Sequence, residues 1–140
     1  MSLKGYFSGV FVLEDDVNRL VEQICAMRAK QAGGGGSLTT MTKNSVNVRR
    51  GEDLAVAVLA AEGELVRARM KLLALEREIK TLADGLDEPI WRAIITWRYI
   101  CRYKWRDIAL RADLSEMQVI RGHNAAMEVM EERFAPDMCV

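Results

Sequence analysis

Apolar and small residues follow a four-three alternation between Leu54 and Leu82, which is the longest regular pattern in the chain. Residues spaced in this way lie along one side of a helix and form the seam of a coiled coil. The pattern therefore predicts a long coiled-coil helix over residues 51–85 that ends at Gly85. The seam positions are Leu54, Val58, Ala61, Leu65, Ala68, Leu72, Leu75, Ile79 and Leu82.

The same alternation occurs at the start of the chain and predicts another coiled-coil helix over residues 1–32. Its seam consists of Tyr6, Val10, Leu13, Val17, Leu20, Ile24 and Met27. Between the two helices lies a run of four glycines and Ser37, followed by a polar stretch. This composition is typical of a flexible linker, which we place over residues 33–50.

The linker leaves two arrangements of these helices open, a hairpin within one chain or pairing between chains. We expect a hairpin that also forms a homodimer, because a lone helix pair would expose apolar flanks, namely Val56, Leu59, Val66 and Leu73. The residues expected at these helix contacts, including the oligomer contact, are Leu13, Val17, Leu20, Ile24, Leu54, Val58, Leu65, Leu72, Leu75, Ile79 and Leu82.

Residues 86–134 carry shorter apolar periods and predict a domain of three helices. The first helix is expected over residues 88–102, with Asp87 as its cap and Pro89 in its first turn, where a missing N–H does no harm. Its apolar stripe contains Ile90, Ile94, Trp97 and Ile100. Residues 135–140 are expected to form a disordered tail. The predicted fold class is all-α.

Residues 104–127 have the spacing of a helix-turn-helix. One face of a short helix collects four residues at i, i+3, i+4 and i+7, which are Trp105, Ile108, Ala109 and Ala112. Asp113 and Leu114 then interrupt the pattern. Ser115 is the expected N-cap of the following helix, and Gln118 completes a capping box. The residues expected to face the core from this helix are Val119, Ala126 and Met127.

The outward face of this last helix is mixed and polar, as is typical of a recognition helix in a DNA major groove. Because ordinary helical bundles contain the same two-helix pattern, the spacing alone does not distinguish a DNA-binding motif from a purely structural one. Local charge favours DNA, since seven cations and three acids lie between Arg92 and Arg121 in a chain of zero net charge. We expect base contacts from Met117, Gln118, Arg121 and Asn124, and DNA backbone contacts from Arg102, Lys104, Arg106, Arg111 and Ser115.

Other classes of function find little support in the 140 residues. No segment approaches the roughly 20 apolar residues of a membrane span. We expect a cytoplasmic protein, because three widely spaced cysteines fit a reducing compartment. The cysteines, Cys25, Cys101 and Cys139, lack metal-ligand spacing, and His123 is expected to cover the core edge or to contact phosphate. The glycine run is not a P-loop, because no Lys-Ser or Lys-Thr follows it. We therefore expect no cofactor, no metal and no enzymatic activity.

Nearly the whole chain resembles a family of short phage and prophage proteins whose carboxy-terminal end is similar to region four of bacterial sigma factors. At the amino terminus the resemblance rests on Tyr6-Phe7, Val10, Leu13, Val17 and Met27-Arg28. Before the helix-turn-helix it rests on Trp97-Arg98-Tyr99-Ile100, and within it on Trp105, Ile108-Ala109, Leu114-Ser115, Val119, His123 and Ala126-Met127. Gly122 departs from the family, whose recognition helices usually carry an apolar core residue at that position.

The resemblance implies a regulator of transcription encoded by a phage or prophage, with double-stranded DNA as its partner and RNA polymerase as a candidate further partner. Two other functions stay open. One is a phage packaging or structural protein that holds DNA without sequence preference. The other is a protein-protein adaptor in which the coiled coil makes the contacts and the basic face is simply solvated.

Overall fold

The computed structural model describes residues 2–34 and 44–138, with side chains placed within 2–32 and 51–133. Over these residues the protein is all-α, as the sequence predicts, and contains no strand. The α-helices are α1 (Leu3–Gly34), α2 (Asn44–Asp84), α3 (Pro89–Ile95), α4 (Trp105–Ala112) and α5 (Glu116–Met138), and a π-helical segment (Thr96–Ile100) continues α3.

Several helix ends differ from the sequence prediction, and α1 continues to Gly34 rather than ending at residue 32. Helix α2 begins at Asn44 rather than at residue 51, because no glycine or proline interrupts the chain between Asn44 and Arg50. Of the predicted linker 33–50, only residues 35–43 lie outside the described residues. Helix α5 continues to Met138, so most of the predicted tail is helical, and residues 139–140 lie outside the described part.

The chain forms two compact units, the arm unit of residues 13–71 and the carboxy-terminal unit of residues 1–12 and 72–140. In the arm unit, α1 and α2 pack against each other with Ile24, Val58 and Ala61 buried. A guanidinium–carboxylate ion pair joins Arg28 on α1 to Glu62 on α2. The four-three seam is therefore the face through which these helix segments contact each other within one chain.

In the carboxy-terminal unit, the first turns of α1 pack on the last turns of α2. Phe7, Val10 and Ile79 are fully buried there, and the Tyr6 hydroxyl donates a hydrogen bond to the Glu78 carboxylate. This hydrogen bond, followed by burial, raises the pKa of Tyr6 to about 12.

The residues predicted for the helix contacts and the oligomer contact are covered, at least in part, within the chain. Each is buried or half-buried inside its own unit. The set is Leu13, Val17, Leu20, Ile24, Leu54, Val58, Leu65, Leu72, Leu75, Ile79 and Leu82. Contacts within the chain cover these side chains in part or in full, and their use in a contact between two copies stays a prediction.

Candidate nucleic-acid interface

A π-helical segment leads into the helix-turn-helix. The sequence predicts one α-helix over residues 88–102, but after Ile95 the backbone widens, and the Cys101 N–H donates to the Thr96 carbonyl at 3.0 Å. Segments of this kind are frequent at functional sites. Here it carries Tyr99, which is buried with its ring edge against Phe7 at a centroid distance of 5.3 Å. The widened turn thus belongs to the packing beneath the helix-turn-helix.

Arg98, in the same segment, is a half-buried cation. Its guanidinium lies 4.8 Å from the ring centre of Phe11 and 4.3 Å from that of Trp105, and it donates to the Tyr103 carbonyl at 3.0 Å. Stacking of this kind is favourable for a guanidinium that is partly desolvated. Burial lowers the pKa of Arg98. This arginine therefore stabilises the fold rather than adding charge to the outer surface.

Helix α4 and the turn after it have the predicted form. Ile108 and Ala109 are buried, and Asp113 adopts the left-handed conformation with a φ of 56°. Aspartate tolerates this conformation better than most residues. The Leu114 N–H donates to the Ala109 carbonyl at 3.0 Å, which closes the end of the helix.

The capping box at the start of α5 is confirmed in both directions. The Gln118 N–H donates to the Ser115 hydroxyl oxygen at 3.1 Å, and the Ser115 N–H donates to the Gln118 amide oxygen at 3.0 Å. Two backbone donors at the helix start are thus satisfied. The predicted inward residues, Val119, Ala126 and Met127, are all buried.

A small apolar core holds the helices together and fixes the outer face of α5. Ile94, Ile108, Ala109 and Val119 form its centre, surrounded by the half-buried residues Ile90, Trp97, Tyr103, Trp105 and Leu114. On the opposite side of α5 the predicted base-contacting residues are exposed. These are Met117, Gln118, Arg121 and Asn124.

The predicted backbone-contacting residues divide into two groups. Lys104, Arg106, Arg111 and Ser115 are exposed, and the Arg111 guanidinium stacks on Tyr103 at 4.3 Å. Arg102 is different: its Nη1 lies 2.6 Å from Oε1 of Glu76, and only 19% of its side chain is exposed. Because a carboxylate and the surrounding fold already engage this guanidinium, the prediction that Arg102 contacts the DNA backbone is wrong.

The surface is consequently less basic than the sequence suggests. Arg92 donates to the Leu86 carbonyl at 2.6 Å, so Arg92, Arg98 and Arg102 all serve the fold. Of the seven cations between Arg92 and Arg121, the other four are exposed, as are the three acids. The exposed cations are Lys104, Arg106, Arg111 and Arg121, and the acids are Asp107, Asp113 and Glu116.

His123 lies inside the domain and not at a phosphate-contacting position. It is 1% exposed, its Nε2 lies 2.6 Å from the Tyr99 hydroxyl, and its Nδ1 lies 3.2 Å from Oδ1 of Asn124. The carbonyl oxygen of Asn124 can only accept, so Nδ1 carries the proton and Nε2 accepts from Tyr99. The Trp105 ring packs edge-on against the imidazole at 4.8 Å.

Burial lowers the pKa of His123 and raises the pKa of Tyr99 to about 12. Both directions favour the neutral pair that this hydrogen-bond pattern requires. The hydrogen bond from Nδ1 of His123 also orients the Asn124 side chain, since it occupies one lone pair of the amide oxygen. The other lone pair and the amide N–H groups stay available for a ligand outside the helix.

Gly122 has a packing role that the sequence does not reveal. A Cβ atom at this position would lie 2.9 Å from Cδ1 of Ile94 and 3.8 Å from Cδ1 of Trp91. The first distance is shorter than side chains tolerate, so glycine allows the buried Ile94 to approach the backbone of α5. Ile94 thus occupies the space that a side chain at position 122 would fill.

Within the described residues, no cluster of three or more potential metal ligands occurs. None of the described helices is long and apolar enough to cross a membrane. No protein-family model matches this chain, and no significant match exists among curated proteins or solved structures.

Proposed function

We propose that this chain binds duplex DNA through the amino-terminal half of α5 and regulates transcription, as the phage and prophage proteins it resembles imply. One observation carries the proposal: α5 has a buried side at Val119 and Ala126 and an exposed polar side opposite. A capped helix with a rigid inner face can enter a major groove without disturbing its own core.

The proposed contact surface has the dimensions of a short DNA site. From Met117 to Asn124 the helix rises about 10 Å, which corresponds to about three base pairs. Arg121 is suited to two hydrogen bonds with guanine, and Gln118 and Asn124 are suited to adenine. Met117 supplies an apolar surface for a thymine methyl group.

Lys104, Arg106 and Arg111 are proposed to contact phosphates, with the Ser115 hydroxyl beside them. Four exposed cations, including Arg121, allow a salt dependence of log K on log[salt] with a slope no steeper than about −4. Such a module binds weakly by itself. Self-association or contact with RNA polymerase would supply the additional affinity.

The test is selection of binding sites from a random duplex DNA pool at low salt. The proposal predicts enrichment of a short motif after a few rounds, and loss of that enrichment with Arg121→Ala. Arg77→Ala is a matched control, because Arg77 is exposed on α2, outside the proposed surface. Recovery without any enriched motif would contradict a regulator that recognises sequence.

A protein-protein adaptor is the second candidate, favoured by the small excess of cations over acids around α5. It predicts no retention on duplex DNA even at low salt, where the electrostatic contribution is largest. A direct binding measurement at about 20 mM salt, well below physiological ionic strength, therefore separates the two functions.

A further inference from the structure

Helix α2 carries another apolar stripe, separate from the seam that contacts α1. Val56, Leu59, Val66 and Met70 are between 57% and 68% exposed. With Gly63 they follow the spacing three, four, three, four, and we call these five residues the outer stripe. Leu73, also exposed, is next in the same register. A coiled-coil seam that faces solvent over about 21 Å marks a binding surface.

We propose that the outer stripe binds the outer stripe of a second copy of this chain, with the two α2 helices antiparallel. Position 63 then faces Val66 of the partner subunit, and Leu59 faces Met70 of the partner subunit. A twofold axis between Gly63 and Val66 repeats each contact, so the stripe is complementary to itself.

Gly63 determines the direction of the two helices. A Cβ atom at this position would have only one neighbour within 4 Å, Nη1 of Arg67 at 3.5 Å, so the site is open. In a parallel pair, two glycines would face each other and leave a gap in the seam. In an antiparallel pair, Val66 of the partner subunit fills that space, which retains the dispersion contacts of a packed layer.

The charges beside the stripe agree with this arrangement. Glu62 and Arg69 occupy equivalent heptad positions on one flank, and antiparallel pairing places Glu62 beside Arg69 of the partner subunit. Symmetry repeats this contact. The ion pair between Arg28 and Glu62 within the chain extends it to a network of alternating charge.

Helix α1 is a poorer match for the stripe than α2. Its exposed residues in the arm unit are mostly polar and include Asp15, Asn18, Arg19 and Glu22. An apolar stripe gains little from covering such a face. The dimer does not depend on DNA binding. If DNA is the ligand, a dimer carries two α5 helices and raises the apparent affinity.

The first test is sedimentation equilibrium of the full chain between about 1 and 500 µM, a range that includes weak dimers. The unaltered chain is expected to form a dimer, and Val66→Glu is expected to raise its dissociation constant by about 100-fold or more, because two carboxylates enter the interface. Val12→Glu is the control, since Val12 is 62% exposed but lies on α1.

Circular dichroism should show equal helix content in all three proteins, because both replaced valines are exposed. A monomer throughout the concentration range would overturn the proposal. So would Val66→Glu dimerising as strongly as the unaltered chain, or Val12→Glu dissociating the dimer as Val66→Glu does.

The second test addresses the antiparallel register. Arg69→Glu and Glu62→Arg each place like charges together twice, so each variant alone should dimerise about 10-fold more weakly. An equimolar mixture should dimerise more tightly than either variant alone, because every cross-contact in the heterodimer joins opposite charges. Full recovery is not expected, since Glu62→Arg also removes the ion pair with Arg28. A mixture that dimerises no more tightly than the separate variants, or unchanged dimerisation of either variant alone, would overturn the register.

Discussion

The Tyr99 hydroxyl donates a 2.6 Å hydrogen bond to Nε2 of His123, across 24 residues of sequence and inside the carboxy-terminal unit. This bond joins the π-helical segment to α5, so it ties the outer face of the proposed recognition helix to the packing of Phe7 and Trp105. Tyr99→Phe should therefore lower the free energy of unfolding by about 1–3 kcal/mol, because a buried acceptor loses its donor.

Tyr103→Phe serves as the control for that change. Tyr103 is half-buried, and its ring stacks on Arg111. Phenylalanine retains the ring, so the expected loss is within about 0.5 kcal/mol. Urea denaturation of the two variants measures both values, and equal losses would contradict the structural role of the Tyr99 hydroxyl.

His123 should also make stability depend on pH. Burial holds the pKa of His123 in the folded protein below its ordinary value of 6.5, whereas the unfolded chain titrates near that value. The unfolded state therefore binds more protons as pH falls below about 6.5, and folding stability declines there by up to about 1.4 kcal/mol per pH unit. Above about pH 6.5 the contribution of neutral His123 to the free energy of unfolding is fully present.

His123→Gln removes the titration and keeps an acceptor for the Tyr99 hydroxyl. Its melting temperature should fall less between pH 7 and pH 5 than that of the unaltered chain, whatever its absolute value. Thermal melts at matched ionic strength give the two slopes, and parallel curves would show that His123 titrates alike in the folded and unfolded states.

Gly122→Ala tests the close packing of α3 on α5. Alanine favours a helix by about 1 kcal/mol over glycine, yet here its methyl group would lie 2.9 Å from Cδ1 of Ile94. We expect a net destabilisation of up to about 2 kcal/mol, because overpacking beside the buried Ile94 costs about 1–3 kcal/mol and the helix propensity of alanine offsets about 1 kcal/mol of it.

Gly51→Ala is the matched control, since a Cβ atom at that helical position would meet nothing within 4 Å. It should stabilise the protein by up to about 1 kcal/mol. Chemical denaturation compares the two substitutions, and a stabilising effect at position 122 would contradict the packing described for Ile94.

Local features of the fold could be predicted from sequence because neighbouring residues determine them. The capping box depends on Ser115 and Gln118, three residues apart, and the four-three seam depends on positions along one helix. The π-helical segment could not be predicted, because five residues do not separate an α period from a π period. The contact between Tyr99 and Phe7 could not be predicted either, because Tyr99 lies in this segment.

The charges of the candidate interface could not be predicted from local spacing, because they depend on partners far away in sequence. Arg102 was expected at the DNA backbone, but its partner Glu76 is 26 residues away, and nothing in the local pattern reveals that pair. His123 likewise acquires its role from distant Tyr99. The outer stripe is visible in sequence as the spacing from Val56 to Met70, but only the structure shows that α1 covers the other seam.

We propose that the exposed side of α5 recognises bases while α4 and its flanks hold the DNA backbone. The decisive measurement is the dissociation constant of Arg121→Ala and of Arg106→Ala for a selected site and for random duplex DNA, determined by fluorescence anisotropy. We expect Arg121→Ala to reduce discrimination between the two DNAs by about 1–3 kcal/mol, and Arg106→Ala to weaken binding to both DNAs alike. Equal losses on the selected and random DNA for both variants would contradict it.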